Sequence, residues 1–114
     1  MRITSDLWVA AVVRRVFGAG GFAAVLKRGA TEAGAIFVVT RDRLGEAALY
    51  GPAPQASYDT GKPQDRRFQL ILQDSAEKIE ARIAKEERFD PDLWVVELEP
   101  GEKSASEFIL IEQI

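Results

Sequence analysis

The segment FGAGGFAAVL (residues 17–26) decides between two folds, because its glycines fit either a nucleotide-binding loop or the end of a helix. Gly18, Gly20 and Ala23 follow the spacing G-x-G-x-x-A, with which a dinucleotide-binding domain brings its backbone close to a pyrophosphate. That loop needs a strand before it and a helix after it. Here a helical pattern precedes the glycines and a strand pattern follows them. We therefore expect the glycines to end a helix, and we expect no nucleotide cofactor.

The helical pattern occupies SDLWVAAVVRRVF (residues 5–17), in which apolar residues recur at three- and four-residue spacings and two arginines lie on the other side. Ser5 is the predicted N-cap of this first helix and Gly18 its stop. After the glycines, residues 22–28 are mainly apolar and end at another glycine. They predict the first strand.

The rest of the chain predicts five more strands and one helix. A helix is expected to start at Asp74 and to end near Phe89, because Pro91 forbids its continuation. The predicted strands are 36–40, 47–50, 66–72, LWVVELE (93–99) and FILIEQI (108–114). The order αββββαββ favours an α+β fold, since consecutive strands with short connections pair mostly antiparallel. We expect a single two-layer domain, residues 1–114, with a mostly antiparallel sheet and both helices packed on one face.

Composition narrows the chemistry available to the protein. A chain of 114 residues is the usual size of one domain, and it contains no cysteine and no histidine. Disulfides, thiolate or imidazole metal sites and a Ser-His-Asp triad are thereby excluded. We predict no catalytic residue and no metal site, and we expect a noncatalytic binding or regulatory module. Its longest early apolar run, residues 7–13, is far shorter than the roughly 20 residues of a membrane span, so we expect a cytoplasmic protein without membrane contact.

An irregular segment, GPAPQASYDTGKPQD (residues 51–65), contains three prolines and two glycines. Its triplet Asp-Thr-Gly (59–61) is also found in the active site of aspartic proteases. Those enzymes embed the triplet in an apolar strand, whereas Tyr58 and Lys62 flank it here, so a turn is the better interpretation. Long irregular loops in small domains are often functional, which makes this segment the first place to look for a site.

The predicted binding surface lies at the start of this segment. Arginine can bind a phosphate or carboxylate through two hydrogen bonds, and a tyrosine can stack on a planar group. The candidate residues are Tyr50, Pro52, Pro54 and Gln55, flanked by Arg41, Arg43 and Arg67. We expect the partner to be a protein or a small anionic ligand, and the sequence leaves a homodimer open.

Two other functions stay open. The first is an enzyme, or a subunit of one, that uses carboxylate or lysine chemistry. Its candidate carboxylates are Glu32, Asp59, Asp90 and Asp92. The second is weak nucleic-acid binding, since basic pairs alternate with aromatic residues along the chain. An isoelectric point of about 5.0 and the lack of a ribonucleoprotein-type aromatic motif disfavour it.

Three segments together resemble a known family. They are SDLWVAAVVRRVFGAGGFAAVLKRGATEAGAIFV (5–38), LYGPAPQ (49–55) and RFDPDLWVVELE (88–99). In this order they are similar to a family of small bacterial proteins classed as a domain of unknown function. The resemblance covers almost the whole chain and implies a compact cytoplasmic α+β protein. It implies no activity, cofactor or catalytic residue.

Overall fold

The structure is a computed structural model that describes residues 3–54 and 66–112. Two helices, α1 and α2, and six strands, β1 to β6, follow one another in the predicted order αββββαββ. Their bounds are α1 Ser5–Gly18, β1 Phe22–Lys27, β2 Ile36–Arg41, β3 Ala47–Pro52, β4 Arg67–Asp74, α2 Ala76–Phe89, β5 Trp94–Glu99 and β6 Leu110–Ile111, with a short 3-10 helix, Ala105–Glu107, before β6. The predicted α+β class is confirmed.

The glycines after α1 end the helix, as predicted. The N–H of Gly21 donates to the carbonyl of Val16 at 2.9 Å, and that of Gly20 donates to Phe17 at 3.0 Å. Gly20 has a φ of +88°, a conformation that glycine adopts without steric cost. This pair of hydrogen bonds is a Schellman motif, which satisfies the last carbonyls of a helix. The chain then enters β1.

The strands form one mixed sheet in the order β1-β5-β2-β3-β4-β6. Three of its five pairings, β1–β5, β2–β3 and β3–β4, are antiparallel. The pairings β2–β5 and β4–β6 are parallel. The sheet is therefore mostly antiparallel, as expected, and its two edges are β1 and the two-residue strand β6.

The helices pack on opposite faces of the sheet, which corrects the expected packing on one face. Successive side chains of a strand point to opposite faces, and along β2 they alternate between the two helices. The cluster with α1 contains Val9, Val12, Val16, Ile36 and Val38, whereas the cluster with α2 contains Ile79, Phe37 and Val39. Because the central strands are apolar on both sides, both faces need a cover. The domain consequently has three layers rather than two.

Both predicted helix N-caps are shifted by one residue. Thr4 is the N-cap of α1, and Ser5 is fully buried and donates through Oγ to the carbonyl of Gly34 at 2.7 Å. Ser75, rather than Asp74, caps α2, where its Oγ accepts a hydrogen bond from the N–H of Lys78. The hydroxyl of Ser5 thus forms a tertiary hydrogen bond with Gly34 instead of capping α1.

The last predicted strand is much shorter than expected. Of residues 108–112, only Leu110 and Ile111 pair with β4. The 3-10 helix before them is stabilised by a capping box between Ser104 and Glu107. Phe108 and Ile109 pack into the α1 side of the core instead of extending the sheet. Within the described ranges, neither helix is long and apolar enough to span a membrane.

Candidate functional site

A cleft of about 190 Å³ opens at the end of the sheet where β2 turns into β3. One side consists of residues 40–42, Glu46 and Tyr50, and the other of residues 100, 101 and 103–105. The second side is the connection that leaves β5 and enters the 3-10 helix. The two sides meet because β2 and β5 are parallel neighbours and end at the same edge of the sheet. We refer to this site as the Tyr50 cleft.

Hydroxyl groups and two cations line the Tyr50 cleft. Tyr50 lies opposite Val38 in the β2–β3 ladder and is partly buried against the α1 side of the core. Within residues 3–54 and 66–112, its hydroxyl makes no hydrogen bond. Thr40 lines the same space with a second hydroxyl, and Lys103 lines the opposite side. Lys103 Nζ is 3.8 Å from a carboxylate oxygen of Glu107, a long and exposed ion pair.

One carboxylate of the cleft is already occupied by the turn that it stabilises. Asp42 Oδ1 accepts hydrogen bonds from the backbone N–H groups of Leu44 and Glu46, both at 2.9 Å. Gly45 completes this hairpin turn with a φ of +85°. Asp42 therefore fixes the shape of the hairpin that borders the cleft.

The second cation of the Tyr50 cleft, Arg41, also belongs to a charged cluster. Arg41 Nε is 3.2 Å from Oε2 of Glu97, whose side chain is only 13% exposed. Glu97 and Glu99 are two residues apart on β5 and therefore lie on the same face. A side-chain hydrogen bond with Glu97 raises the pKa of Glu99, and burial and the charge of Glu97 add to this shift against the opposing charge of Arg41.

The three arginines predicted to flank the site do not form one patch. Arg41 faces Ala47 at the start of β3, whereas the carbonyl of Arg67 accepts from the N–H of Ala53 beyond its other end. Five residues of a strand separate these ends, roughly 17 Å. Arg43 is exposed in the hairpin between β2 and β3. Each of the three arginines pairs with a glutamate, and these partners are Glu97, Glu102 and Glu112.

The other predicted binding residues are divided in the same way. Tyr50 and Arg41 line the cleft together. Pro52 ends β3 opposite Phe68, at the Arg67 end of the strand, and the exposed Pro54 follows it. Gln55 lies outside the described residues, as does the triplet 59–61.

The three described candidate carboxylates of the enzyme alternative, Glu32, Asp90 and Asp92, lie in or beside turns. Asp90 Oδ1 accepts a hydrogen bond from the N–H of Asp92 at 3.1 Å, in the turn between α2 and β5. Glu32 is exposed, and its backbone carbonyl accepts from the N–H of Ser5. Asp59 lies outside the described residues. In the described part of the chain, no three acidic side chains gather into a group that could hold a metal ion.

Sequence reasoning missed two features of this region. The first is the carboxyl pair of Glu97 and Glu99, which their two-residue spacing on a predicted strand could have indicated. Nothing in the sequence signalled Lys103, because the turn that carries it reaches the cleft only through the parallel pairing of β2 and β5.

This architecture and cleft define a small single-domain α+β protein with a six-stranded mixed sheet between two helices. The chain belongs to the family described as "Protein of unknown function (DUF1491)", which matches residues 3–107. The family resemblance found in the sequence is thereby confirmed. No curated protein matches the sequence.

Solved structures of the same family share the fold over the full chain. The solution structure of protein Atu0922 from A. tumefaciens is 47% identical, covers 100% of this chain and 98% of its own, and has a TM-score of 0.83. The crystal structure of a DUF1491 family protein from Caulobacter crescentus CB15 is 31% identical, with coverage of 99% and 100% and a TM-score of 0.78. An NMR structure of a DUF1491 family protein from that organism is 30% identical, with coverage of 99% and 99% and a TM-score of 0.80.

Proposed function

We propose that this protein is a noncatalytic binding module that holds a small anionic group, a carboxylate or a phosphate, in the Tyr50 cleft. The observation that carries the proposal is the side chain of Tyr50, which is partly buried in the cleft while its hydroxyl has no hydrogen-bond partner in the described part of the chain. The hydroxyl is open to the cleft, where it can donate a hydrogen bond to a ligand oxygen.

The size of the cleft limits what it can hold. Sites for drug-sized molecules usually measure about 300–1,000 Å³. A volume of about 190 Å³ fits a carboxylate or phosphate group with a few attached atoms, but not a whole dinucleotide. This agrees with a module that recognises one charged group.

The cleft is lined by two cations, Arg41 and Lys103, and two carboxylates, Asp42 and Glu46, so the position of Lys103 across from the hydroxyls, rather than a net positive charge, favours an anion. The pair between Lys103 and Glu107 is long and half-exposed, and such pairs contribute little stability, so the ammonium can turn towards a ligand. Arg41 borders the cleft, but its guanidinium pairs with Glu97 on the α2 face of the sheet, so Lys103 is the cation that faces the hydroxyls. Thr40 and Tyr50 contribute hydroxyl groups that can donate hydrogen bonds to an anion.

The same proposal places the protein in the bacterial cytoplasm. The chain contains no cysteine, which suits a reducing compartment. The solved relatives come from A. tumefaciens and Caulobacter crescentus.

Titration of the isotope-labelled protein with succinate and with inorganic phosphate, followed by amide chemical shifts, tests the proposal. We expect saturable shifts confined to residues 40–50 and 100–105. Tyr50→Phe keeps the ring and removes the hydroxyl, so we expect an affinity about fivefold lower, the effect of one hydrogen bond. Lys103→Gln should weaken binding further.

The matched control is Lys85→Gln, which removes an equal charge from the exposed side of α2. Its affinity should equal that of the wild type. Titrations without saturable shifts in the cleft, or equal losses in Lys85→Gln and Lys103→Gln, would show that the cleft is not an anion site.

A further inference from the structure

A second concave surface lies on the other face of the sheet, between β1 and α2. It measures about 190 Å³. The residues of α2 that line it are spaced as one stripe of a helix, positions 80, 83, 84 and 87. The full lining is Leu26, Lys27 and Val95 from the sheet, and Glu80, Ile83, Ala84 and Glu87 from α2. The base of the groove is therefore apolar, and Glu80 and Glu87 lie at the two ends of its α2 side.

An apolar row on β1 extends this groove along the edge of the sheet. Phe22 and Ala24 pair with Glu99 and Glu97 of β5, which directs both towards the face of the groove, and at the end of this row the ring of Phe22 also packs edge-on against Phe17 of α1, with 5.7 Å between the ring centroids. Phe22 is 49% exposed and Leu26 53% exposed. Single exposed apolar residues are ordinary, but a contiguous set at one edge is typical of an interaction surface. From Phe22 to Leu26 the row is roughly 13 Å long.

Acidic side chains border this row on its inner side. Glu97 and Glu99 lie beside it on β5, and Glu80 and Glu87 lie across the groove on α2. The cations nearby are already engaged. Lys27 Nζ donates to the carbonyls of Pro91 and Leu93 at 2.7 and 3.0 Å, and Arg41 pairs with Glu97. The surface thus combines apolar side chains with an excess of negative charge.

The edge of β1 itself is protected against the addition of another strand. The register with β5 shifts between Val25 and Lys27, and this irregularity interrupts the row of regularly spaced backbone groups. A lysine at the same position is a further device that keeps edge strands from pairing. A partner would therefore lie across the face of β1 rather than extend the sheet.

We propose that this surface, formed by Phe22, Ala24 and Leu26 with the Glu80–Glu87 stripe of α2, docks an amphipathic helix of a partner protein. The apolar stripe of that helix would cover the β1 row, and its lysines or arginines would face Glu80, Glu87 and Glu99. A row of about 13 Å matches two to three helical turns, roughly nine residues. The proposal concerns a macromolecular partner and does not depend on anion binding in the Tyr50 cleft.

Two synthetic helical peptides test the proposal. Both carry leucines at spacings of three and four residues, one with lysines and one with glutamates at the remaining positions. We expect the lysine peptide to bind at least about tenfold more tightly, with amide shifts at residues 22–27, 80–87 and 95–99, because charge complementarity selects between them. Leu26→Asp should lower its affinity at least about tenfold, whereas Leu44→Asp, at an 88% exposed leucine in the β2–β3 hairpin, should leave it unchanged.

A charge reversal separates docking at the groove from general attraction to an acidic protein. Glu80→Lys with Glu87→Lys should abolish the preference for the lysine peptide, while Glu46→Lys with Glu102→Lys, an equal change at exposed positions away from the groove, should preserve it. Equal binding of both peptides, or equal effects of the two double variants, would overturn the proposal. So would sedimentation showing a dimer that Leu26→Asp dissociates, since the occupant would then be a second copy of this chain.

Discussion

The backbone of Gly29 lies so close to the carbonyl oxygen of Asp92 that a Cβ at position 29 would overlap it. The neighbouring N–H of Ala30 donates to the same carbonyl at 2.8 Å, and the Nε1 of Trp94 returns a hydrogen bond of 2.8 Å to the carbonyl of Ala30. These contacts fasten the turn after β1 to the start of β5. They also fix the relative position of β1 and β5, on which the proposed docking surface depends.

Gly29→Ala should therefore destabilise the protein. The added methyl group meets backbone atoms, which cannot move aside as a flexible side chain would, and forcing extra atoms into a packed site usually costs about 1–3 kcal/mol. Gly18→Ala is the matched control, because a Cβ there has no neighbour within 4 Å. Urea denaturation of both variants measures the difference. Equal free energies of unfolding would contradict the close approach at Gly29.

Ser5 connects the start of α1 to the turn that follows β1. Its hydroxyl donates to the carbonyl of Gly34 at 2.7 Å and accepts from Nη2 of Arg66 at 3.3 Å. Ser5→Ala leaves a buried carbonyl without its donor, so we expect a loss of about 1–3 kcal/mol in the free energy of unfolding. Ser106→Ala, at an exposed serine, should change it by less than about 0.5 kcal/mol. A comparable loss in both variants would refute this role of Ser5.

Leu49 tests the α2 side of the core. It is 0% exposed and packs in the cluster that contains Ile79 and Phe37. Leu49→Ala should lower the free energy of unfolding by about 2–5 kcal/mol, as buried leucine truncations do. The same substitution at Leu44, which is 88% exposed, should have almost no effect. Thermal denaturation distinguishes the two, and a similar melting temperature for both variants would mean that α2 does not cover this face.

The carboxyl pair on β5 should make stability depend on pH. The hydrogen bond with Glu97 raises the pKa of Glu99 in the folded state, so folding favours the protonated form. The stabilisation is complete below the pKa of the unfolded chain and is lost as pH rises through the folded pKa. Arg41 opposes the shift without abolishing it. Glu99→Gln stays neutral at every pH, so its stability should fall less than that of the wild type as the pH rises above the ordinary glutamate pKa of about 4.3.

Urea denaturation at a series of pH values measures this difference. Glu102→Gln, at an exposed carboxylate outside the pair, should keep the pH dependence of the wild type. If the curves of Glu99→Gln and wild type run parallel, the pair is not coupled as described.

The helices and strands could be predicted because their signals are local. The apolar spacing of residues 5–17, the glycines at 18–21 and Pro91 each act on their own neighbours in the chain. The faces of the sheet could not be assigned with the same information. Val38 and Val39 look alike in the sequence, yet one packs under α1 and the other under α2.

The candidate site shows the same division. Tyr50 and Arg41 were identified from their residue types and from the loop that follows Tyr50, and the fold brings both to one cleft. Arg67 flanks the same loop in the sequence, but the antiparallel ladder of β3 and β4 places it at the other end of the strand. Lys103 joins the cleft from more than fifty residues away in the chain.

The sequence by itself determined the α+β class, the order of the elements and the end of α1 at its glycines. It also excluded cysteine and histidine chemistry. Only the tertiary structure decided that the helices cover opposite faces, that Ser5 is buried rather than capping, and that β5 lies between β1 and β2. The physical reason is range: backbone preference and capping act over a few residues, whereas strand order depends on which apolar faces can be buried together across the whole chain.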